Sequence, residues 1–233
     1  MPENLNRSAY PSIPARFWRH YDRLLNDQPA HRLLEAILRQ GAERTLGAIN
    51  TIFFLAAEAT ALQPDELLLS LGFQDNDLDP ANFQAMLAVL RTINKLHELE
   101  FIEIKPLRPS LVRREADLLA VRNDKLYSIE VFRSAETASR LTNHEHASVN
   151  LASYVASRVQ EKLPQVRTTM REYNCEAGIV VVVMDSQPSR ALDDVTDYLQ
   201  AVTDAFQRIG SPQDIHILLF TAHDEQVCHP ALS

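Results

Sequence analysis

The run AGIVVVVM, residues 177 to 184, restricts the fold more than any other stretch of the chain. It offers no polar side, and its β-branched centre from Ile179 to Val183 suits extended backbone. A strand of this kind needs cover on both faces, the situation of a central strand in a sheet packed by helices. It has strand length only, too short to cross a membrane as a helix.

The flanking pattern supplies that cover. Residues 15 to 75 read as helices, in ARFWRHYDRLL, AHRLLEAILRQGAERTLGAINTIFFLAAEATAL and PDELLLSLGF, with apolar residues three or four apart. Pro64, followed by Asp65 and Glu66, marks a helix start. The pattern breaks at Asn76-Asp77 and Asp79-Pro80, then resumes with Phe83, Leu87, Leu90, Ile93 and Leu96 on one stripe. After Leu99 the period changes to that of strands. EFIEIKPL alternates, and EADLLAVR and KLYSIEVF follow, joined by Asn123-Asp124, residues that favour a tight turn, so a three-strand meander is expected. A long helical region with a break or kink near Pro164 comes next, then AGIVVVVM, a helix closed by Gly210, and DIHILLF as a last strand. The expected architecture is α/β, a mixed central sheet flanked by helices, in a domain spanning 80–233. A helical N-terminal extension covers 1–79.

Charge and composition narrow the function. The formal net charge of −8 argues against a surface coated for nucleic acid, which needs clustered lysine and arginine. A local basic cleft remains open to Arg108, Arg113, Arg114, Arg122, Arg133 and Arg140, although a scatter of solvated surface arginines is the better account of them. Only five glycines occur and none forms a phosphate-cradling loop; GxSxG is also absent, which disfavours dinucleotide enzymes, nucleotide hydrolases and serine hydrolases. Cys175 and Cys228 read as ordinary thiols, not as a disulfide or a zinc site. His144 and His146 point to different sides of a helix and lack a third ligand nearby. The acidic, proline-containing start MPENLNRSAYPS is unlike a signal peptide and no apolar run reaches membrane-spanning length, so a cytoplasmic protein without membrane association is expected. The stripe Phe17, Trp18 and Tyr21 reads as core or as a partner surface.

Two acids stand out inside the apolar hairpin. If the turn lies at Asn123-Asp124, Arg122 pairs with Lys125, and counting outward sets Asp117 opposite Glu130. Like charges so placed are destabilising and call for a cation. Mg²⁺ takes one or two carboxylates and fills its other positions with water and phosphate oxygens, and Glu115 is placed to join the pair. A solvated hairpin face on which both acids pair with arginines is the competing account.

The element order around EADLLAVRNDKLYSIEVF resembles the PD-(D/E)XK nuclease superfamily over residues 80 to 222. That motif places an acid on the second core strand and an acid-x-lysine on the third. The resemblance implies a restriction-endonuclease-like fold, with Asp117 and Glu130 as Mg²⁺ ligands in the cleavage of a DNA or RNA phosphodiester. This chain departs from the motif: the lysine position is Phe132, which cannot position water or offset charge. Some members supply the lysine from another element. Lys162, in VQEKLPQVR on the following helix, is the first replacement, with Gln165 near a polar active-site position. Lys105 is a weaker one, and Arg133 faces away from Glu130. Arg158, four residues before Lys162, is a like charge and rules out a helical ion pair on that side. The family often adds an acid from the preceding helix, for which Glu98 and Glu100 have the right place in order, while a solvated helix end explains both. The expected function is metal-dependent cleavage of nucleic acid. The alternative is a binding or assembly module that lost its chemistry with Phe132, docking a protein partner through its N-terminal helices as a subunit of a larger complex.

Overall fold

A computed structural model of the chain describes residues 5–27, 30–108, 115–134, 147–184, 195–221 and 225–232. The protein is α/β and divides into two compact units, 1–108 and 109–233. The boundary expected at residue 80 falls inside the first unit, at the first residue of a helix.

The first unit holds helices α1 (Ala15–Asp27), α2 (Arg32–Gln40), α3 (Ala42–Thr60), α4 (Pro64–Ser70) and α5 (Pro80–Glu98), followed by strand β1 (Ile102–Pro106). The apolar stretch from residue 30 to 62 becomes two helices because Gly41 takes φ +90°, where a helix cannot continue. Glu66 accepts from the Gln63 N–H at 3.2 Å at the start of α4, and Asp79 accepts from the Ala81 N–H at 2.8 Å at the start of α5. The aromatic stripe of α1 is core: Phe17 is fully buried, with its ring centroid 5.9 Å from those of Phe53 and Phe83.

The second unit begins with a hairpin of β2 (Leu118–Arg122) and β3 (Lys125–Ser134). Asn123 and Asp124 turn it with φ of 50° and 60°, a pair of left-handed conformations whose twist matches the strands. Arg122 pairs with Lys125, the register expected from the sequence. Helix α6 (Ala147–Tyr173) leads into β4 (Ala177–Met184), parallel to β3 with Glu130 beside Val180. Helix α7 (Val195–Arg208) leads into β5 (Ile215–Phe220), parallel to β4. With β6 (Gln226–His229) the strands of this unit lie in the order β2-β3-β4-β5-β6, a mixed sheet in which β4 is buried at every position.

Two expectations need correction. DIHILLF is not the last strand, because β6 (Gln226–His229) pairs antiparallel with β5 through Leu218 and Cys228. A four-residue edge strand is too short for alternation to reveal it. Of the break or kink expected near Pro164, the break does not occur: helix α6 runs through the proline, although the ring removes one N–H and crowds the preceding turn. Apolar residues of α6 and α7, among them Val155, Val159, Val202 and Phe206, pack with Val180, Val182, Ile217 and Leu219 in one core. That burial outweighs the local cost of the proline. Among the described residues no single helix is long and apolar enough to cross a membrane; α3 and α4 reach that composition only as a pair bent by 80°. Cys175 and Cys228 are free thiols.

Candidate active site

The site starts just before β2 begins. At Asp117 the backbone leaves the regular ladder: its N–H donates to the Ile129 carbonyl at 3.0 Å, while its Oδ2 accepts from the Val131 N–H at 2.7 Å. The side chain thus takes an amide of β3 that a backbone carbonyl would otherwise take. These two bonds straddle Glu130 and hold the carboxylates on neighbouring stretches of chain.

Glu130 is 2% exposed. Phe132, on the same face of β3, is buried under α6 with its ring 6.4 Å from that of Tyr154, so the motif-lysine position belongs to the core. The cation comes from the helix instead. Lys162 Nζ donates to Glu130 Oε1 at 2.6 Å, a short charge-assisted contact. Arg158 is engaged with Glu161 at 2.9 Å and leaves that lysine to the sheet. Glu130 Oε2 is buried and has no hydrogen-bond partner among the described residues.

Helix α6 is set against the sheet by three contacts along one stripe. Val166, one turn beyond Lys162, accepts from Ser128 Oγ at 3.2 Å through its carbonyl. Beside it, Gly178 lets the helix approach so closely that a Cβ there would stand 2.3 Å from Val166 Cγ1. The fully buried Thr169 accepts from the Ala116 N–H at 2.8 Å, fixing the residue before Asp117. The spacing 162, 166 and 169 puts all three on one helix face, so one element addresses both acids.

Electrostatics follow from this burial. The Glu130 carboxyl is pushed well above its ordinary range, first by desolvation and then by the charge of Asp117, against the opposing pull of Lys162. Asp117 is raised as well, again by burial, with the Val131 N–H and Lys162 acting the other way. One ammonium does not fully compensate two buried carboxylates. A proton or a further cation would relieve that imbalance.

The three residues Asp117, Glu130 and Lys162 are brought together as the sequence suggests. Others are not. Among the described residues no group of three or more His, Cys, Asp or Glu gathers, so Glu115 does not complete a three-acid set. Glu98, Glu100 and Lys105 belong to the first unit, where Glu98 pairs with Lys95 at 2.6 Å and Lys105 with Glu103 at 3.4 Å. Gln165 is partly buried on α6. Arg113, Arg114, Arg140, His144 and His146 lie outside the described residues. Ser128, Thr169 and Gly178 were not legible as parts of a site, although glycine inside a β-branched run is itself a sign of close backbone approach.

Among the described residues the donor set suits a hard divalent cation: two carboxylates, one with a buried oxygen that has no partner there. Comparison with known proteins finds no matching family model, no matching curated protein and no matching solved structure.

Proposed function

We propose that the protein is a metal-dependent, nuclease-like enzyme that cleaves nucleic-acid phosphodiesters, with its chemistry at Asp117, Glu130 and Lys162. The observation that carries this reading is the 2.6 Å contact between Lys162 Nζ and Glu130 Oε1. It brings a cation from α6 to the acid pair from which Phe132 cannot reach as a base or a charge. The lysine side chain, 26% exposed against 2% for that of Glu130, has access to solvent that the acid lacks.

Asp117 and Glu130 would hold Mg²⁺, which when bound supplies an activated water and offsets charge on the phosphodiester. Val131 and Ile129 orient Asp117 through the backbone bonds on either side of Glu130. Lys162 then serves as the group that helps place the attacking water or meets the negative charge of the transition state. The net charge of −8 makes the substrate contact a local one. The resemblance to the PD-(D/E)XK superfamily supports the same roles, with the lysine supplied by the helix.

The test is Mg²⁺- or Mn²⁺-dependent cleavage of single- and double-stranded DNA and RNA by the full chain. Asp117→Ala and Glu130→Ala are expected to abolish cleavage, and Lys162→Ala to slow it by about a hundredfold or more. Absence of cleavage, with no rise in thermal stability on adding the ion, would reject the enzyme reading. It would favour a binding module on the same scaffold, whose nucleic-acid or protein partner is then distinguished by the salt dependence of binding.

A further inference from the structure

We propose that the Lys162 ammonium and a divalent cation are alternative occupants of the Asp117–Glu130 acid pair, so that metal loading dislodges Lys162 from Glu130. The inference rests on reading these acids as metal ligands, and it adds how the site is kept and opened.

Glu130 holds the lysine with one oxygen and leaves the other buried, without a partner among the described residues. Asp117 commits Oδ2 to the Val131 N–H. With both acids ionised, one ammonium leaves the group at a net −1. A divalent ion alone would neutralise it. Ion and ammonium together would leave a net +1 at a largely desolvated position, which is costly where the surroundings screen weakly. The two cations therefore oppose one another.

The geometry allows the exchange. The lysine side chain is 26% exposed while Glu130 is 2% exposed, so the ammonium can reach water along its flexible stem as the carboxylate stays in place. Glu130 does not depend on Lys162 for its backbone position, which the pairing of β3 with β4 fixes. On α6, Arg158 is already bonded to Glu161 at 2.9 Å, so the acid next to Lys162 in the chain is occupied. Ion binding would thus move the Lys162 ammonium off Glu130 toward the open side of the site, where it can still meet the charge of a phosphodiester.

The experiment is calorimetric titration of Mn²⁺ into the full chain without nucleic acid, comparing the wild type with Lys162→Met, Lys162→Gln and Glu130→Gln. Both lysine variants are expected to bind the ion about tenfold or more tightly, because a repelling charge has gone, and Glu130→Gln to lose binding. A second readout is acetylation of Lys162 by an amine-reactive reagent, followed by mass spectrometry. Mn²⁺ should raise its rate in the wild type. Equal or weaker binding by folded Lys162 variants, or acetylation that falls when the ion is added, would overturn the exchange while leaving the metal reading intact. No binding by any of the proteins would remove the metal reading and this proposal with it.

Discussion

Gly178 is the position at which α6 comes nearest to the sheet, and replacing it with alanine tests whether that approach is built by packing. The new Cβ would stand 2.3 Å from Val166 Cγ1, 3.0 Å from Ile215 Cδ1 and 3.1 Å from Met170 Sδ. Real Cβ atoms do not tolerate the first contact, so something has to move. Val166 is fully buried and its carbonyl is bonded to Ser128 Oγ at 3.2 Å, which leaves little room to yield. Overpacking of this kind costs about 1–3 kcal/mol. The tight valine contact places the expected loss at the upper end, about 2–3 kcal/mol, against a smaller gain from removing glycine's backbone freedom. For a chain of this size the melting temperature should fall by roughly 4–12 °C. Urea unfolding should show a lower midpoint with an unchanged slope. The paired variant Gly178→Ala/Val166→Ala should recover most of the loss, since the added methyl then occupies space the valine vacated, with a coupling of about 1–3 kcal/mol. A neutral Gly178→Ala, or additive effects in the double variant, would refute the close-approach argument.

Acid should destabilise the first unit through His20, whose ring is fully buried and stacked on Phe83 at 5.3 Å with 9° between planes. Burial, reinforced by His31, lowers its pKa from 6.5 to about 4, so the stabilising neutral state is complete above 6.5 and is lost as pH falls toward 4. The loss should total about 3 kcal/mol, and His20→Phe should flatten the stability profile in that window, as read by urea midpoints at a series of pH values. Thr169→Val removes the acceptor for the Ala116 N–H at 2.8 Å and should cost about 1–3 kcal/mol, whereas Thr169→Ser keeps the oxygen and should retain most of the stability. Hydrogen exchange at the Ala116 amide should quicken in the valine variant alone; equal exchange in both would show that the bond contributes nothing.

Local patterning was sufficient for the class of fold and for part of the site. The run 177–184 demanded cover on both faces and is buried throughout. Asn123-Asp124 set the hairpin register because only a few residue types accept two successive left-handed conformations, and that register carried Asp117 to the neighbourhood of Glu130. Lys162 was reached through the resemblance, as a lysine supplied from another element, while its like-charged neighbour Arg158 denied it a helical pair on that side.

Sequence alone determined the alternation of helices and strands, the hairpin, and the presence of two acids that needed a cation. These depend on residues near one another in the chain, whose spacing states their geometry. Tertiary structure decided which cation came. It carried α6 through Pro164, brought Val166 against Gly178, joined Thr169 to Ala116 across 53 positions of sequence, and set Lys162 on Glu130. The physical reason is that such contacts depend on how closely a helix can approach a sheet, which is a property of the packed core and of no single segment within it.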